Sequence, residues 1–247
     1  CGASHSLART CSGLLWAWGC NEHGQLGLGD AKPRFRPEQV KAMRVSRCVD
    51  VAAGSRHTLA ITERGLVFAF GAGGSGQLGS GGIAETEPYP KVVESLKEIG
   101  KCLQVACGHS HSMALVQHEE SLKENVYAWG LGSSGQLGIP KEQLQDRKLS
   151  PLPQKVRLDP GLRVVSITSG PLAHHSFLVM QRIAATNGYP ASNGAGARDL
   201  SPREGLRVAR HSLQTAIDAD ELLRLLRSLR PGAEASLSSQ ALVKAVG

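Results

Sequence analysis

Short runs in which large apolar residues alternate with small ones recur through residues 1–180, and glycines close both ends of each run. Val67-Phe68-Ala69-Phe70 and Val126-Tyr127-Ala128-Trp129 show the pattern best. A period of two in aromatic and β-branched residues predicts strands, and the intervening glycines predict tight turns. No unit carries a helical period between its strands, which excludes the parallel sheet of a βαβ series. The period changes further along. Residues 186–198 are small and flexible and predict a linker. After it, Ser201-Pro202-Arg203-Glu204 makes a capping box with proline at the first helical position. Leu206, Ala209, Leu213, Ala216 and Ile217 then line one helix face, a second helix is predicted from Asp220 to Leu229, and a third begins near Ser236. These helices are expected to be core of an adjoining domain, with partner-binding helices as the alternative.

The alternating runs belong to a repeat. Gly2-x-x-His5-Ser6-Leu7-Ala8 returns as Gly54-x-x-His57-Thr58-Leu59-Ala60 and as Gly108-x-x-His111-Ser112-Met113-Ala114, with a looser copy from Gly170 to Phe177. Downstream of the first three lie Trp16-Ala17-Trp18-Gly19, Phe68-Ala69-Phe70-Gly71 and Tyr127-Ala128-Trp129-Gly130. Each is followed by Gly-Gln-Leu-Gly, at 24–27, 76–79 and 135–138. The aligned histidines are 52, 54 and 64 residues apart, so one unit is about 52 residues with late insertions. Short antiparallel strands repeated at such a period predict a propeller, whose blades bury their faces against one another.

The repeat also accounts for the features that look like chemistry. Gly71-x-Gly73-x-x-Gly76 and Gly130-x-Gly132-x-x-Gly135 fit a dinucleotide fingerprint, but that fingerprint needs a helix opening after its glycines, and Gln-Leu-Gly follows instead. His109 with His111, and His174 with His175, suggest a metal, yet no closing set of three or four ligands accompanies them. Because His5, His57 and His111 share one repeat position, a hydrogen bond from blade to blade is the expected role. Ser6, Thr58 and Ser112 are repeat residues as well, and a nucleophile is rarely copied three times. No catalytic residue, cofactor or metal is therefore assigned.

Composition narrows the class further. Hydrophobic residues at 41% and charged residues at 20% predict a globular chain, and no apolar run approaches the roughly 18 residues of a membrane span. The opening Cys1-Gly2-Ala3-Ser4-His5 has neither the basic start nor the apolar stretch of a signal peptide, so secretion is not expected. Six cysteines without C-x-x-C spacing predict reduced thiols in a cytoplasmic protein, with the nucleus as the second expectation. The net charge of +7 is spread along the chain, with 19 basic against 15 acidic residues over 1–180 and 9 against 6 over 181–247. The strongest local bias is Lys32, Arg34, Arg36, Lys41, Arg44 and Arg47, opposed only by Glu38. This segment is either a solvated loop or a docking patch for an acidic partner.

The ordered recurrence of His-Ser-Leu-Ala, aromatic-Ala-aromatic-Gly and Gly-Gln-Leu-Gly resembles the regulator of chromosome condensation repeat family, over residues 1 to about 180. The resemblance implies a propeller of about seven blades, which at this period needs roughly 350 residues, so about 3.5 units form a partial propeller. The expected fold is all-β, a partial β-propeller of antiparallel four-stranded blades (1–180), then a linker (181–200) and a short α-helical segment (201–247). Cys1 already lies in the Gly-x-x-His segment, and the strand preceding that segment in later units (Cys48–Ala53, Cys102–Cys107) is expected to be missing from the first. The stretch Phe70–Gly79, and propeller repeats running into helices, are similar to HERC-type HECT ubiquitin ligases. That likeness implies a protein-interaction module recognising a partner or ubiquitination substrate within a larger ligase. No HECT domain lies in these 247 residues. Two alternatives are guanine-nucleotide exchange on a small Ran-like GTPase, as the founding family member performs, and docking to chromatin or a membrane surface through the basic segment.

Overall fold

A computed structural model of the chain describes residues 1–144 and 148–183. The chain divides into two units, Cys1–Ala185 and Thr186–Gly247, and every described residue belongs to the first. The helical segment expected over 201–247 lies outside the described residues, as does the linker from residue 184 onward.

Successive antiparallel sheets carry the chain. The first holds β1 (His5–Arg9), β2 (Leu15–Gly19) and β3 (Arg34–Gln39) in that order. The second holds β4 (Cys48–Ala53), β5 (His57–Thr62), β6 (Val67–Ala72) and β7 (Thr86–Val92), and the third holds β8 (Gly100–Cys107), β9 (His111–His118), β10 (Glu124–Leu131) and β11 (Leu149–Lys155). A two-stranded sheet of β12 (Leu162–Thr168) and β13 (Phe177–Arg182) follows. Each sheet is a blade. Among the described residues the first sheet holds three strands, with no counterpart of β4. Among the described residues α1 (Glu94–Ile99) joins the second blade to the third, and of two 3-10 turns the one at Lys41–Met43 holds the same place after β3, the other being Lys141–Gln143. Helix α1 and the turn after β3 each tuck one apolar residue inward, Leu96 and Met43 respectively.

Three apolar clusters show why no blade stands alone, since each draws on neighbouring blades. Leu15, Ala17, Leu26 and Met43 meet Ala60 and Phe70. Leu59, Val67 and Leu78 meet Val105, Tyr127 and Trp129, and then Met113, Val126 and Leu137 meet Val164 and Ile167. Burial of this kind stabilises by about 25 cal/mol per Å² of apolar surface, and here it is available only once neighbours dock. The last sheet is tied on by polar contacts too. Gln104 of β8 accepts from the backbone N–H of Ile167 at 3.0 Å, and Arg163 clamps Glu124 with two bonds of 2.9 and 3.0 Å.

The aromatic-Ala-aromatic-Gly signature is a bulge. In all three blades the register between the aromatic strand and the strand after it (β2 with β3, β6 with β7, β10 with β11) slips at the same place, Ala17/Gly19, Ala69/Gly71 and Ala128/Gly130. Gly71 sits at φ +108°, where an added Cβ would lie 2.5 Å from the carbonyl oxygen of Arg56. Only glycine fits that backbone and that gap.

Candidate functional site

The repeated histidines are buried and bridge blades. His5 Nε2 lies 3.0 Å from Thr58 Oγ1, His57 Nε2 2.9 Å from Ser112 Oγ, and His111 Nε2 2.9 Å from Ser176 Oγ. Each hydroxyl donates onward to a backbone carbonyl in the preceding blade, at 2.8 Å for Thr58 to Gln25, 2.8 Å for Ser112 to Gln77, and 2.9 Å for Ser176 to Gln136. A hydroxyl has one proton, so each Nε2 must be the donor to it. The ring is thereby fixed as the Nε2–H tautomer. Burial is the largest cause that holds these imidazoles neutral, pulling His5 and His111 down to about 4 and His57 to about 3.

The Gly-Gln-Leu-Gly turns complete the bridge. The side-chain oxygens of Gln25, Gln77 and Gln136 accept from the backbone N–H of His23, Ser75 and Ser134 at 2.8–2.9 Å, which braces each turn and aims its carbonyl at the next blade. Gln77 also accepts from the Trp129 indole at 2.9 Å. In the first two turns the second glycine lies beneath an aromatic residue of the following blade, Gly27 beneath Phe70 and Gly79 beneath Trp129, where a Cβ on Gly79 would stand 2.9 Å from the Trp129 Nε1. The two glycine triplets that resemble dinucleotide fingerprints are therefore parts of turns packed between blades. The histidines and glutamines copied through the first three units, with Thr58, Ser112 and Ser176, are engaged in packing between blades. Among the described residues no group of three or more His, Cys, Asp or Glu could hold a metal ion. Burial raises the Cys48 thiol to about 11 and Cys102 to about 12, so neither supplies a thiolate.

The basic segment is dispersed by the fold. Arg34 pairs with both Asp30 and Glu38, which raises its own affinity for its proton and lowers the pKa of Asp30. Arg47 reaches Glu63 at 3.7 Å and donates to the carbonyl of Ser12 at 3.3 Å. Lys32 before β3, Arg36 on it, and Lys41 and Arg44 in the turn after it remain exposed. Phe35 is 95% exposed among them. By register, Phe35 and Arg36 match Pro88 and Tyr89 of β7 and Pro151 and Leu152 of β11. Those residues pack on glycine turns of the preceding blade, Pro88 on Gly24 and Pro151 on Gly76. At the counterpart positions Pro151 is buried and Pro88 half-buried against a glycine turn, while Tyr89 and Leu152 keep much of their surface exposed.

A second surface was not singled out from the sequence. The turns entering β5 and β9 and the loops after β2, β6 and β10 lie at one end of the blades, and there crevices open between them. One of about 350 Å³ is lined by His23, Ser55, Arg56, Ser75, Glu85 and His109. His109 stacks on His174 at 4.9 Å, and burial, then His174 and Arg56, lower its pKa. Only His109 and His174 had been marked, as metal candidates. A signal was nonetheless present: Arg56 falls where the aligned units carry Ser4 and Ser110.

Comparison with known proteins accords with the repeat. The family profile described as "Regulator of chromosome condensation (RCC1) repeat" matches residues 12–61, 64–115 and 123–179. Human "Probable E3 ubiquitin-protein ligase HERC6" is 37% identical over 202 residues, covering 82% of this chain and 18% of that protein. Mouse "Probable E3 ubiquitin-protein ligase HERC4" is 42% identical over 137 residues, 56% of this chain and 12% of that one. The chain thus spans less than a fifth of the length of either ligase. The crystal structure of yeast RCC1 (Prp20) bound to Kap60 superposes with a TM-score of 0.60 at 27% identity, covering 72% of this chain and 40% of that one. With a matched profile over more than half its length and a histidine bridge from each of the first three units to the next, this chain belongs to the regulator of chromosome condensation (RCC1) repeat family of β-propellers.

Proposed function

We propose that the chain is a recognition module, the partner- or substrate-binding propeller of a larger HERC-type ubiquitin ligase. One observation carries the non-catalytic half of this reading: the histidines and glutamines copied through the first three units are engaged in bridging blades, while positions at the crevice end such as Arg56 and His109 differ from unit to unit. Variable loops on a rigid scaffold are where binding is built. Similarity to HERC6 and HERC4 supports the ligase context. The alternative, nucleotide exchange on a Ran-like GTPase, draws on the likeness to yeast RCC1. Binding at the crevice end is preferred to chromatin or membrane docking through Lys32–Arg47, because Arg34 and Arg47 are paired within the chain. No helix among the described residues is long and apolar enough to cross a membrane. The proposed compartment is the cytoplasm, with the nucleus as the second, and microscopy of the tagged chain tests it.

A photo-crosslinking residue at Ser55 on the crevice end, compared with one at Arg64 in the opposite turn, tests the module. A partner captured from position 55 alone, whose ubiquitination by a longer HERC-type protein carrying this propeller falls when that end is altered, is the expected result. Equal capture from both positions, or accelerated nucleotide release from a Ran-like GTPase, would overturn it.

A further inference from the structure

The crevice bounded by Ser55-Arg56, Ser75, Glu85 and His109 is built rather than incidental. The loop after β6 is braced by the Ser75 N–H to Gln77 bond of 2.8 Å, and the Gln77 carbonyl behind it is held by Ser112. The opposite wall is fixed by the His109 N–H to the Ala173 carbonyl at 2.9 Å, by His109 Nδ1 with Ser110 Oγ at 2.8 Å, and by the stack of His109 on His174. A pre-formed wall lowers the ordering cost of binding.

Comparison between units picks out what is available to a ligand. Packing explains residues that every unit copies, but it does not explain Arg56, which stands where the others have Ser4 and Ser110, or His109, which stands where they have Ala3 and Ser55. Arg56 is exposed and makes no ion pair among the described residues. The hydroxyls of Ser55, Ser75 and Ser110 add donors around it. Burial is the largest cause that keeps the proton off His109, and the field of His174 and Arg56 adds to it. Glu85 limits that field. A crevice lined by one guanidinium and one carboxylate offers an anion a single fixed cation, which suits a singly charged carboxylate better than a phosphate or a nucleic-acid backbone, whose greater charge Glu85 opposes more strongly.

We infer that this crevice receives an acidic side chain of an extended partner segment, with the carboxylate on the Arg56 fork and the serine hydroxyls around it. The inference rests on the recognition-module reading and names the chemistry of the partner. Fluorescence anisotropy of the intact chain with a labelled dodecapeptide of alternating aspartate and glycine tests it. The wild type is expected to bind, Arg56→Ala to bind about tenfold or more weakly, and Glu85→Gln to bind severalfold more tightly. Lys41→Ala with Arg44→Ala should leave binding unchanged. Several outcomes overturn the proposal: no binding by the wild type, equal binding by Arg56→Ala, loss through the Lys41 and Arg44 changes instead, or tighter binding of a phosphoserine peptide of the same length. Any of these would leave capture at Ser55 standing, so the module reading fails or survives separately.

Discussion

His57 donates its Nε2–H to Ser112 Oγ of the next blade at 2.9 Å, and Ser112 returns a proton to the Gln77 carbonyl of the blade that His57 came from. The bond pair crosses an interface twice within three residues. Because every participant is buried, loss of one leaves the others without water to replace it.

Truncating the ring should therefore be costly. His57→Ala is expected to destabilise by roughly 2–4 kcal/mol through a lost buried side chain and a lost hydrogen bond. His175→Ala should cost less than about 0.5 kcal/mol, because that ring is exposed and meets only Phe177 edge-on. Urea midpoints of the two variants check the contrast. Near-equal losses would place the bridge outside the stabilising core.

Acid should undo the same bridge. His5, His57 and His111 have folded-state values of about 4, 3 and 4, below the 6.5 of an unfolded chain, so the unfolded state takes up protons first. Their contribution is fully present above pH 6.5 and is lost as pH falls from there toward 4, by about 1.4 kcal/mol per pH unit for each ring. Urea melts between pH 7.5 and 4.5 measure the slope. His57→Ala should reduce it by one proton, and a flat profile would contradict the buried neutral rings.

Much of this was legible in the sequence, and the reason is periodicity. The strands at 67–72 and 126–131, the shared histidine position and the incomplete first blade all follow from aligned copies. What the histidine bonds to was not legible. Its partner is a serine or threonine in the next unit, and the final acceptor is the backbone of a glutamine whose side chain faces its own turn. Backbone acceptors leave no mark on residue identity. Arg56 escaped because repeat alignment favours what is copied, and Arg34 misled because its partner Asp30 stands four residues before it, outside the basic window.

Glycine requirements can be separated by the same logic. Gly71→Ala forces a Cβ within 2.5 Å of the Arg56 carbonyl at a left-handed φ, whereas a Cβ on Gly74 meets nothing within 4 Å. Gly71→Ala should lose roughly 2 kcal/mol or more, and Gly74→Ala should be neutral or gain up to about 1 kcal/mol. Thermal midpoints decide between them, and a mild Gly71→Ala would mean that the bulge relaxes.

The central claim is that this propeller recognises a partner with the loop positions at one end of its blades that the units do not copy, Arg56 and His109 among them. Hydrogen-exchange footprinting of the chain, alone and bound to the partner captured at Ser55, tests it most directly. Protection on binding is predicted to concentrate in residues 20–24, 54–56, 72–85 and 108–110, with little change in the turns at 10–14, 63–66 and 119–123. Protection centred on those opposite turns, or on β3 and Lys41–Arg47, would contradict the account.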